Sequence, residues 1–189
     1  MAPLTAGPRA RLCSQNRHKL EELRAALPGW QLELLDAEGY PEETGASYVE
    51  NARAKAEFGR GLAGTDDWLV GEDSGIEVVA LGGAPGIHSA RWAEDGVSRL
   101  LHELGGSKDR RARYVCELVC LTPTGELRGS GILEGTIATD RRGEEGFGYD
   151  PIFVPAGETR TVAALGDAWK REHSHRARAA RSLAQAAVS

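Results

Sequence analysis

The pentapeptide Gly71-Glu72-Asp73-Ser74-Gly75 constrains the fold of this chain most, because it places two adjacent carboxylates between two apolar runs. Residues 68–70 precede the acids and residues 76–80 follow them. The pattern predicts a strand, a tight break and a second strand, with the acids at the break and outside the core. Adjacent carboxylates repel each other unless a cation neutralises them. The pair therefore indicates either a site for a hard cation, above all Mg²⁺, or a solvated polar turn.

Length and composition narrow the class of protein. At 189 residues the chain suits a single domain, residues 1–189, in which residues 1–8 are expected to form a loose leader. The net charge of −5 argues against a large nucleic-acid-binding surface, and no apolar run reaches the roughly 20 residues of a membrane span. Three cysteines form no CxxC pair and are predicted to be buried, reduced thiols of a cytoplasmic protein: Cys13, Cys116 and Cys120.

The N-terminal region is predicted to form a strand, a polar loop and a helix. Residues 9–13 suit a short strand, and leucines recur at helical spacing between residues 20 and 27. The loop between them contains Ser14-Gln15-Asn16, and Lys19 lies near the start of the helix. Amide groups at such a helix start attract anions, so the loop indicates either a phosphate site or a simple helix cap.

A second acidic turn precedes the next predicted helix. The turn Pro41-Glu42-Glu43-Thr44-Gly45 carries two carboxylates, and Ser47 with Glu50 matches a capping box. Asn51 and Lys55 are four residues apart, so they share one side of that helix. The segment indicates either a second source of ligands or a surface helix with an acidic entry.

The central region is predicted to contain a β-hairpin. Residues 112–121 have the β-branched and aromatic content of a long strand, and residues 127–137 are its expected partner. Gly129, Gly131 and Gly135 in the second strand indicate bulges or a close approach of another segment. Local pairing of this kind makes the sheet at least partly antiparallel.

Two segments near the C-terminus carry further ligand-binding chemistry. The segment Gly146-Phe147-Gly148-Tyr149-Asp150 combines glycines with rings, which suits stacking on a base, although the rings could equally pack under a loop. Residues 169–188 are predicted to be helical, and basic side chains at the start of that helix oppose its dipole unless an anion lies nearby. The basic residues are Lys170, Arg171, His173, His175, Arg176, Arg178 and Arg181.

Acids for a divalent cation, basic groups for phosphates and rings for a base together describe a nucleoside triphosphate site, and the sequence lacks a P-loop motif. In these motifs the chain resembles the inosine triphosphate pyrophosphatase family, the noncanonical purine NTP pyrophosphatases. The resemblance spans about residues 12–183. It rests on Ser14-Gln15-Asn16-Arg17-His18-Lys19, Glu42-Glu43-Thr44-Gly45 with Glu50-Asn51-Ala52, Glu72-Asp73-Ser74-Gly75, Leu81-Gly82-Gly83-Ala84-Pro85-Gly86, Gly146-Phe147-Gly148-Tyr149-Asp150-Pro151, and Lys170 with Ser174-His175-Arg176.

The resemblance implies an α/β fold with a curved mixed β-sheet flanked by helices, in two lobes with an active-site cleft between them. It also implies a cytoplasmic homodimer that hydrolyses ITP, dITP and XTP, with Mg²⁺, to the monophosphate and pyrophosphate. The alternatives are a house-cleaning pyrophosphatase with another nucleotide preference and a nucleotide-binding module that has lost catalysis. Nucleic-acid polymers and membranes are not expected partners.

The resemblance also implies roles for individual residues. Asp73 is expected to bind metal and to activate the attacking water, with Glu43 as the second metal ligand and Glu42 and Glu72 in reserve. The phosphate-binding residues are expected to be Ser14, Gln15, Asn16, Lys19, Ser74, Asn51 and Lys55. The base pocket is expected to contain Phe147, Gly148, Tyr149, Asp150, Lys170, His175 and Arg176. Donors from His175 or Arg176 would pair with the C6 oxygen of hypoxanthine or xanthine and face an amino group in adenine.

The sequence departs from the usual pattern of that family at four places. The first loop reads Ser-Gln-Asn where Thr-Gly-Asn is common, which keeps the hydroxyl and the amide. Glu72 stands where Asp is frequent, and Ala177 replaces a common Gly. Ala168-Trp169 replaces the usual acids before Lys170. These departures affect the geometry of the base pocket rather than the reaction.

Overall fold

The computed structural model describes residues 7–64 and 66–188, in which strands and helices are interspersed along the chain. The expected leader at residues 1–8 falls mostly outside the described residues. The strands are β1 (Arg9–Leu12), β2 (Gln31–Leu34), β3 (Trp68–Val78), β4 (Arg111–Leu121), β5 (Glu126–Ile137) and β6 (Phe153–Pro155). The α-helices are α1 (Arg17–Ala26), α2 (Tyr48–Leu62), α3 (Gly96–Leu104), α4 (Val162–Leu165), α5 (Asp167–His173) and α6 (His175–Ala186), and two 3₁₀ turns are formed by Val79–Leu81 and Gly86–His88.

The six strands form one mixed sheet in the order β2-β1-β3-β4-β5-β6. β1 pairs in parallel with β2 and with β3, whereas β5 and β6 pair antiparallel. The predicted α/β class with a mixed sheet and helices is therefore confirmed. Every helix among the described residues is too short or too polar to span a lipid bilayer.

The chain divides into two compact units. The first unit contains the chain up to Asp73, residues 117–130 and residues from 176 onward. Its core includes Cys13, Leu69 and Val119. The second unit contains residues 74–116 and 131–175, and its core is a larger apolar cluster of side chains. That cluster includes Ile76, Val97, Leu100, Tyr114, Leu133, Tyr149, Ile152 and Phe153.

Two predicted boundaries were wrong. β3 runs without a break through the acid pair, because the two carboxylates have cationic and amide partners within the protein and need not leave the strand. The C-terminal region is two helices rather than one. They are separated at Ser174, whose extended backbone (φ −62°, ψ 160°) ends α5.

Two glycines allow helices of the first unit to pack directly against strands. A Cβ atom on Gly71 of β3 would lie 1.8 Å from the carbonyl oxygen of Ala52 in α2. A Cβ atom on Gly129 of β5 would lie 2.3 Å from the carbonyl oxygen of Ala179 in α6. The close approach predicted for the glycines of this strand is therefore observed at Gly129.

The three cysteines are buried thiols, as the sequence predicts. Cys13 directly follows β1, whereas Cys116 and Cys120 lie within β4. Burial raises the pKa of Cys13 and of Cys120 to about 12, despite the opposing effect of Arg60. Thiols that remain protonated at neutral pH are poor nucleophiles and poor metal ligands.

Candidate active site

Strand pairing places the loop after β1 beside the acids of β3. In the parallel register Leu12 lies opposite Val70, and the Cys13 N–H donates to the Val70 carbonyl oxygen at 2.8 Å. The next residues along the two segments are the loop that starts at Ser14 and the acids that start at Glu72. Parallel neighbours run in the same direction, so segments distant in sequence meet at the same end.

The loop after β1 is closed by its own hydrogen bonds. The Asn16 N–H donates to Ser14 Oγ at 3.1 Å, and the Lys19 N–H donates to Asn16 Oδ1 at 3.2 Å. Asn16 is therefore the N-cap of α1, and the cap alternative is observed. Gln15 Nε2 donates to the Ala37 carbonyl oxygen at 3.5 Å. Phosphate binding by this loop stays a prediction.

The two acids of β3 are buried and point to opposite sides of the strand, since successive strand residues alternate. Glu72 is 1% exposed and Asp73 is 3% exposed. Asp73 contacts side chains of α2, whereas Glu72 contacts side chains of α1 and α6. This alternation is unfavourable for the predicted sharing of one metal ion by both carboxylates.

Glu72 lies between two cationic side chains. Lys19 Nζ donates to Glu72 Oε2 at 2.5 Å, and Nε and Nη2 of Arg176 donate to Oε1 at 3.1 and 3.0 Å. Burial raises the pKa of Glu72, but Lys19, Arg176 and Lys55 together hold it well below its ordinary value. Glu72 therefore carries a negative charge that holds two cations, and its place among the metal ligands stays a prediction.

Arg176 is also bound by a second carboxylate, which sequence analysis missed. Nη1 of Arg176 donates to Glu22 Oε2 at 2.7 Å, and Arg176 is 2% exposed. The carboxylates of Glu22 and Glu72 therefore accept hydrogen bonds from guanidinium N–H groups that were predicted to face the purine base. The sequence signal that could have identified Glu22 was its position among the leucines of α1, where it is buried together with Leu20 and Leu23.

The carboxylates of Glu43 and Asp73 meet at the ammonium group of Lys55. Lys55 Nζ donates to Glu43 Oε1, to Asp73 Oδ1 at 3.4 Å, and to the Glu72 carbonyl oxygen at 3.0 Å. Acids from two separate segments of the chain are thus brought to one point. All the acceptors around this ammonium are oxygen atoms, which are the ligand type that hard cations prefer.

Asn51 connects the two acidic segments. Its Oδ1 accepts from the Gly45 N–H at 2.8 Å, and its Nδ2 donates to Asp73 Oδ2 at 3.0 Å. The close packing of α2 at Gly71 brings this side of the helix to β3. The predicted cap of α2 is present in altered form: Ser47 caps the helix, and the Glu50 carboxylate accepts from the Ala46 N–H.

Burial and neighbouring charges set the protonation of this pair. Burial raises the pKa of Asp73 to about 6, against the opposing effects of Lys55 and Asn51. Burial lowers the pKa of Lys55, but Asp73, Glu72 and Glu43 together raise it above its ordinary value. At neutral pH Asp73 is ionised and lies closer to proton uptake than an ordinary aspartate, which suits a general base.

The donor set fits a divalent cation that is completed by substrate and water. Among the described residues, no group of three or more His, Cys, Asp or Glu side chains is arranged to hold a metal. Mg²⁺ is commonly bound by one or two carboxylates together with phosphate oxygens and several waters, so Glu43 and Asp73 suffice. The connected side chains also contain four carboxylates, Glu22, Glu43, Glu72 and Asp73, against three cations, Lys19, Lys55 and Arg176.

In the second unit, Asp150 accepts hydrogen bonds from three different kinds of donor. Its Oδ2 accepts from the Phe147 N–H at 2.8 Å and from Lys170 Nζ at 2.6 Å, and its Oδ1 accepts from the Tyr114 hydroxyl at 3.1 Å. Lys170 Nζ also lies 3.8 Å from the centre of the Phe147 ring. The Tyr114 ring stacks on His175 with a centroid distance of 4.5 Å. Sequence analysis missed Tyr114, which had been assigned only to a strand.

Tyr149 lies in the core of the second unit, and its hydroxyl donates to the Ser89 carbonyl oxygen at 3.0 Å. The core alternative is therefore observed for this ring, whereas Phe147 is half-buried. Gly148 has a φ of 63°, which favours glycine. Glu42 is exposed, and Ser74 is half-buried directly after Asp73.

The structure therefore contains two clusters, one in each unit, that combine predicted site residues with Glu22 and Tyr114, which were not predicted. The first-unit cluster consists of Lys19, Glu22, Glu43, Asn51, Lys55, Glu72, Asp73 and Arg176. The second-unit cluster consists of Tyr114, Phe147, Asp150, Lys170 and His175.

Known proteins resemble this chain in sequence and in fold. The dITP/XTP pyrophosphatase of Gloeobacter violaceus is 44% identical over 181 residues, which cover 91% of this chain and 90% of the relative. The dITP/XTP pyrophosphatase of Deinococcus deserti is 42% identical over 176 residues, or 89% of this chain and 84% of the relative. The solved structure of the Staphylococcus aureus Ham1 protein has a TM-score of 0.83 at 35% identity and covers 95% of this chain and 97% of that protein.

A second solved structure, the nucleoside-triphosphatase / dITP/XTP pyrophosphatase of Mycobacterium abscessus, has a TM-score of 0.71 at 37% identity and covers 96% of this chain and 97% of that protein. The Ham1 family itself matches residues 10–186. These matches confirm the resemblance found in the sequence, and the chain belongs to the Ham1 family.

Proposed function

We propose that this protein hydrolyses the α–β phosphoanhydride of noncanonical purine nucleoside triphosphates, with dITP, XTP and ITP as substrates. The products are a nucleoside monophosphate and pyrophosphate. The observation that carries the proposal is the meeting of Glu43 and Asp73 at Lys55, which gives a partly buried, oxygen-rich site for a cation and for a general base. The names of the relatives from Gloeobacter violaceus and Deinococcus deserti support the choice of substrate.

We propose that Glu43 and Asp73 hold Mg²⁺ when substrate binds. The ion would neutralise the phosphates and make a bound water more acidic. Lys55 keeps the two carboxylates together, because its ammonium contacts both of them. Asn51 holds Asp73 Oδ2, which fixes the plane of the carboxylate.

Asp73 is the proposed general base. Its pKa of about 6 leaves it ionised at neutral pH and able to take a proton from the attacking water. The proton moves to a carboxylate oxygen of Asp73 while the water oxygen bonds to the α-phosphorus and the bond to the pyrophosphate oxygen breaks. The protein's main contribution is positioning and charge neutralisation, as in phosphoryl transfer generally.

Lys19 is the proposed principal contact of the phosphates in the first unit. It lies in the first turn of α1, and Glu72 holds its ammonium in place. Ser14, Gln15, Asn16 and Ser74 are proposed to add polar contacts. Asn51 and Lys55 would then act on the carboxylates rather than directly on phosphate, because both already contact Asp73.

The second-unit cluster is proposed to recognise the base. The half-buried Phe147 would stack on the purine, and Gly148 has no side chain that would cover the Phe147 ring. Lys170 and His175 would provide donors for the C6 oxygen. Asp150 fixes Lys170, and Tyr149 supports this loop from the core. Nε, Nη1 and Nη2 of Arg176 each donate to Glu22 or Glu72, so we assign Arg176 a supporting role.

The test is a substrate panel of ITP, XTP, dITP, ATP and GTP, with Mg²⁺ and with excess EDTA. We expect Mg²⁺-dependent pyrophosphate release from the first three and much slower release from ATP and GTP. Fast release from a modified pyrimidine triphosphate instead would favour a different house-cleaning preference. Binding without any pyrophosphate would favour the inactive nucleotide-binding module.

We also propose that the enzyme is a cytoplasmic homodimer, as the resemblance implies. Size-exclusion chromatography with light scattering tests the assembly directly. A mass of one chain, 20.2 kDa, at micromolar concentration would refute the dimer without affecting the proposed reaction.

A further inference from the structure

We infer that Tyr114 is a positioning residue for base recognition, acting through Asp150 and His175. The inference rests on the proposed function, because it assigns a task within the same second-unit cluster. Tyr114 lies in β4 and is 7% exposed, so its ring belongs to the rigid sheet rather than to a loop. Its hydroxyl donates to Asp150 Oδ1 at 3.1 Å.

The Tyr114 ring is held between two other rings. It lies nearly parallel to the His175 imidazole, with an interplanar angle of 8° and a centroid distance of 4.5 Å. It also packs against Phe153 at 4.5 Å with a tilt of 50°. A ring packed in this way cannot swing away, so its hydroxyl presents a fixed donor to Asp150.

Fixing Asp150 fixes the residues proposed to touch the base. The other carboxylate oxygen, Oδ2, accepts from Lys170 Nζ and from the Phe147 N–H. The loop is close to this carboxylate, since a Cβ atom on Gly146 would lie 2.4 Å from Oδ2. A rotation of the Asp150 carboxylate would therefore displace both the ammonium and the stacking ring.

A phenol suits this task better than a second cation. Tyr114 donates one hydrogen bond without adding charge, so the Asp150 carboxylate remains the electrostatic partner of Lys170. The same ring sets the plane of His175, a proposed donor to the C6 oxygen. One side chain thereby orients three groups that read the purine.

The test is Tyr114→Phe, which removes the hydroxyl and keeps the ring. We expect KM for XTP to rise about 10-fold, in line with the loss of a hydrogen bond to a charged acceptor, with kcat unchanged within about 2-fold. The XTP over ATP preference in kcat/KM should narrow by about the same factor. The matched control is Tyr40→Phe, whose hydroxyl donates to the Leu35 carbonyl oxygen in the first unit and should leave both constants unchanged.

A double variant separates positioning from general destabilisation. If Tyr114 acts through Asp150, adding Tyr114→Phe to Asp150→Asn should change KM by less than about 2-fold, because the partner is already altered. Multiplication of the two single effects would overturn the inference. Loss of stability in Tyr114→Phe, seen by thermal unfolding, with unchanged KM in the folded fraction would also overturn it.

The outcomes distinguish this inference from the proposed function. A wild-type protein that releases no pyrophosphate from XTP, ITP or dITP refutes both. A wild-type enzyme with the expected preference, together with a Tyr114→Phe variant that matches Tyr40→Phe in KM and in preference, refutes the role of Tyr114 alone.

Discussion

The first-unit and second-unit clusters use different chemistry. The first combines four carboxylates with three cationic side chains, and its contacts are almost entirely between charged groups. The second contains the buried ion pair of Lys170 with Asp150, next to aromatic rings and the Tyr114 hydroxyl. Charge balance governs the first cluster, whereas shape and hydrogen-bond direction govern the second.

The proposed function gives these two clusters different tasks. A triphosphate brings several negative charges, so its site needs cations and acids that hold a metal. A purine base is planar and carries far less charge than the triphosphate, so its site needs a flat surface and a few directed donors. Changes in the first cluster should therefore act on rate and on the response to pH and metal, and changes in the second should act on substrate preference.

The largest effect is expected for Asp73→Asn. The variant keeps the shape of the side chain and its contact with Asn51 but loses the proposed proton acceptor and a proposed metal ligand. We expect kcat for XTP to fall by about 10³-fold or more. Pyrophosphate release under saturating Mg²⁺ measures the rate.

The contrast between the two clusters also predicts that Asp73→Asn leaves recognition of the purine base intact. Affinity for the product xanthosine monophosphate, measured by calorimetry without metal, should stay within about 2-fold if the second-unit cluster reads the base. A strong loss of monophosphate affinity would show that the two tasks are not separate. A kcat close to the wild-type value would remove Asp73 from catalysis.

Local sequence patterns predicted the elements well. The polar loop, α1, the cap of α2 and the β4–β5 pair were all evident from spacing and turn residues, because those signals are local. The break predicted at the acid pair was wrong because carboxylates were assumed to need solvent. The buried Arg176 and Asn51 and the half-buried Lys19 and Lys55 provide partners instead.

Long-range pairing could not be predicted. Glu72 meets Lys19 from 53 residues before it and Arg176 from 104 residues after it, and only the strand order and helix packing bring them together. The same holds for Tyr114 and Asp150, which are 36 residues apart. Composition showed that acidic and basic side chains were present, but not which acidic side chain would pair with which basic one.

The second effect concerns stability and tests whether Glu72 is a charge partner or a metal ligand. Glu72→Gln leaves Arg176 and Lys19 without one of their buried counter-charges, which should lower the free energy of unfolding by about 3–5 kcal/mol. Urea unfolding in metal-free buffer measures the loss. The control Glu134→Gln, on an exposed residue of β5, should stay within about 0.5 kcal/mol. A loss below about 1 kcal/mol at Glu72 would contradict the assigned role.

The smallest effect is a pH dependence confined to the first unit. Because burial raises the pKa of Asp73 from 3.8 to about 6, the folded protein binds this proton more tightly than the unfolded chain. Protonated Asp73 therefore contributes at most about 3 kcal/mol to the free energy of unfolding. This contribution is fully present below about pH 4 and is lost as the pH rises through 6. In metal-free urea unfolding, the wild type should lose stability between pH 4 and 6 relative to Asp73→Asn, whereas Tyr114→Phe should follow the wild type.

Saturating Mg²⁺ should stabilise the wild type more at pH 7.5 than at pH 5, since metal and proton would compete for the same carboxylate. Parallel pH curves for the wild type and Asp73→Asn would show that Asp73 titrates as an ordinary aspartate, and the electrostatic contrast between the two clusters would then lose its main support.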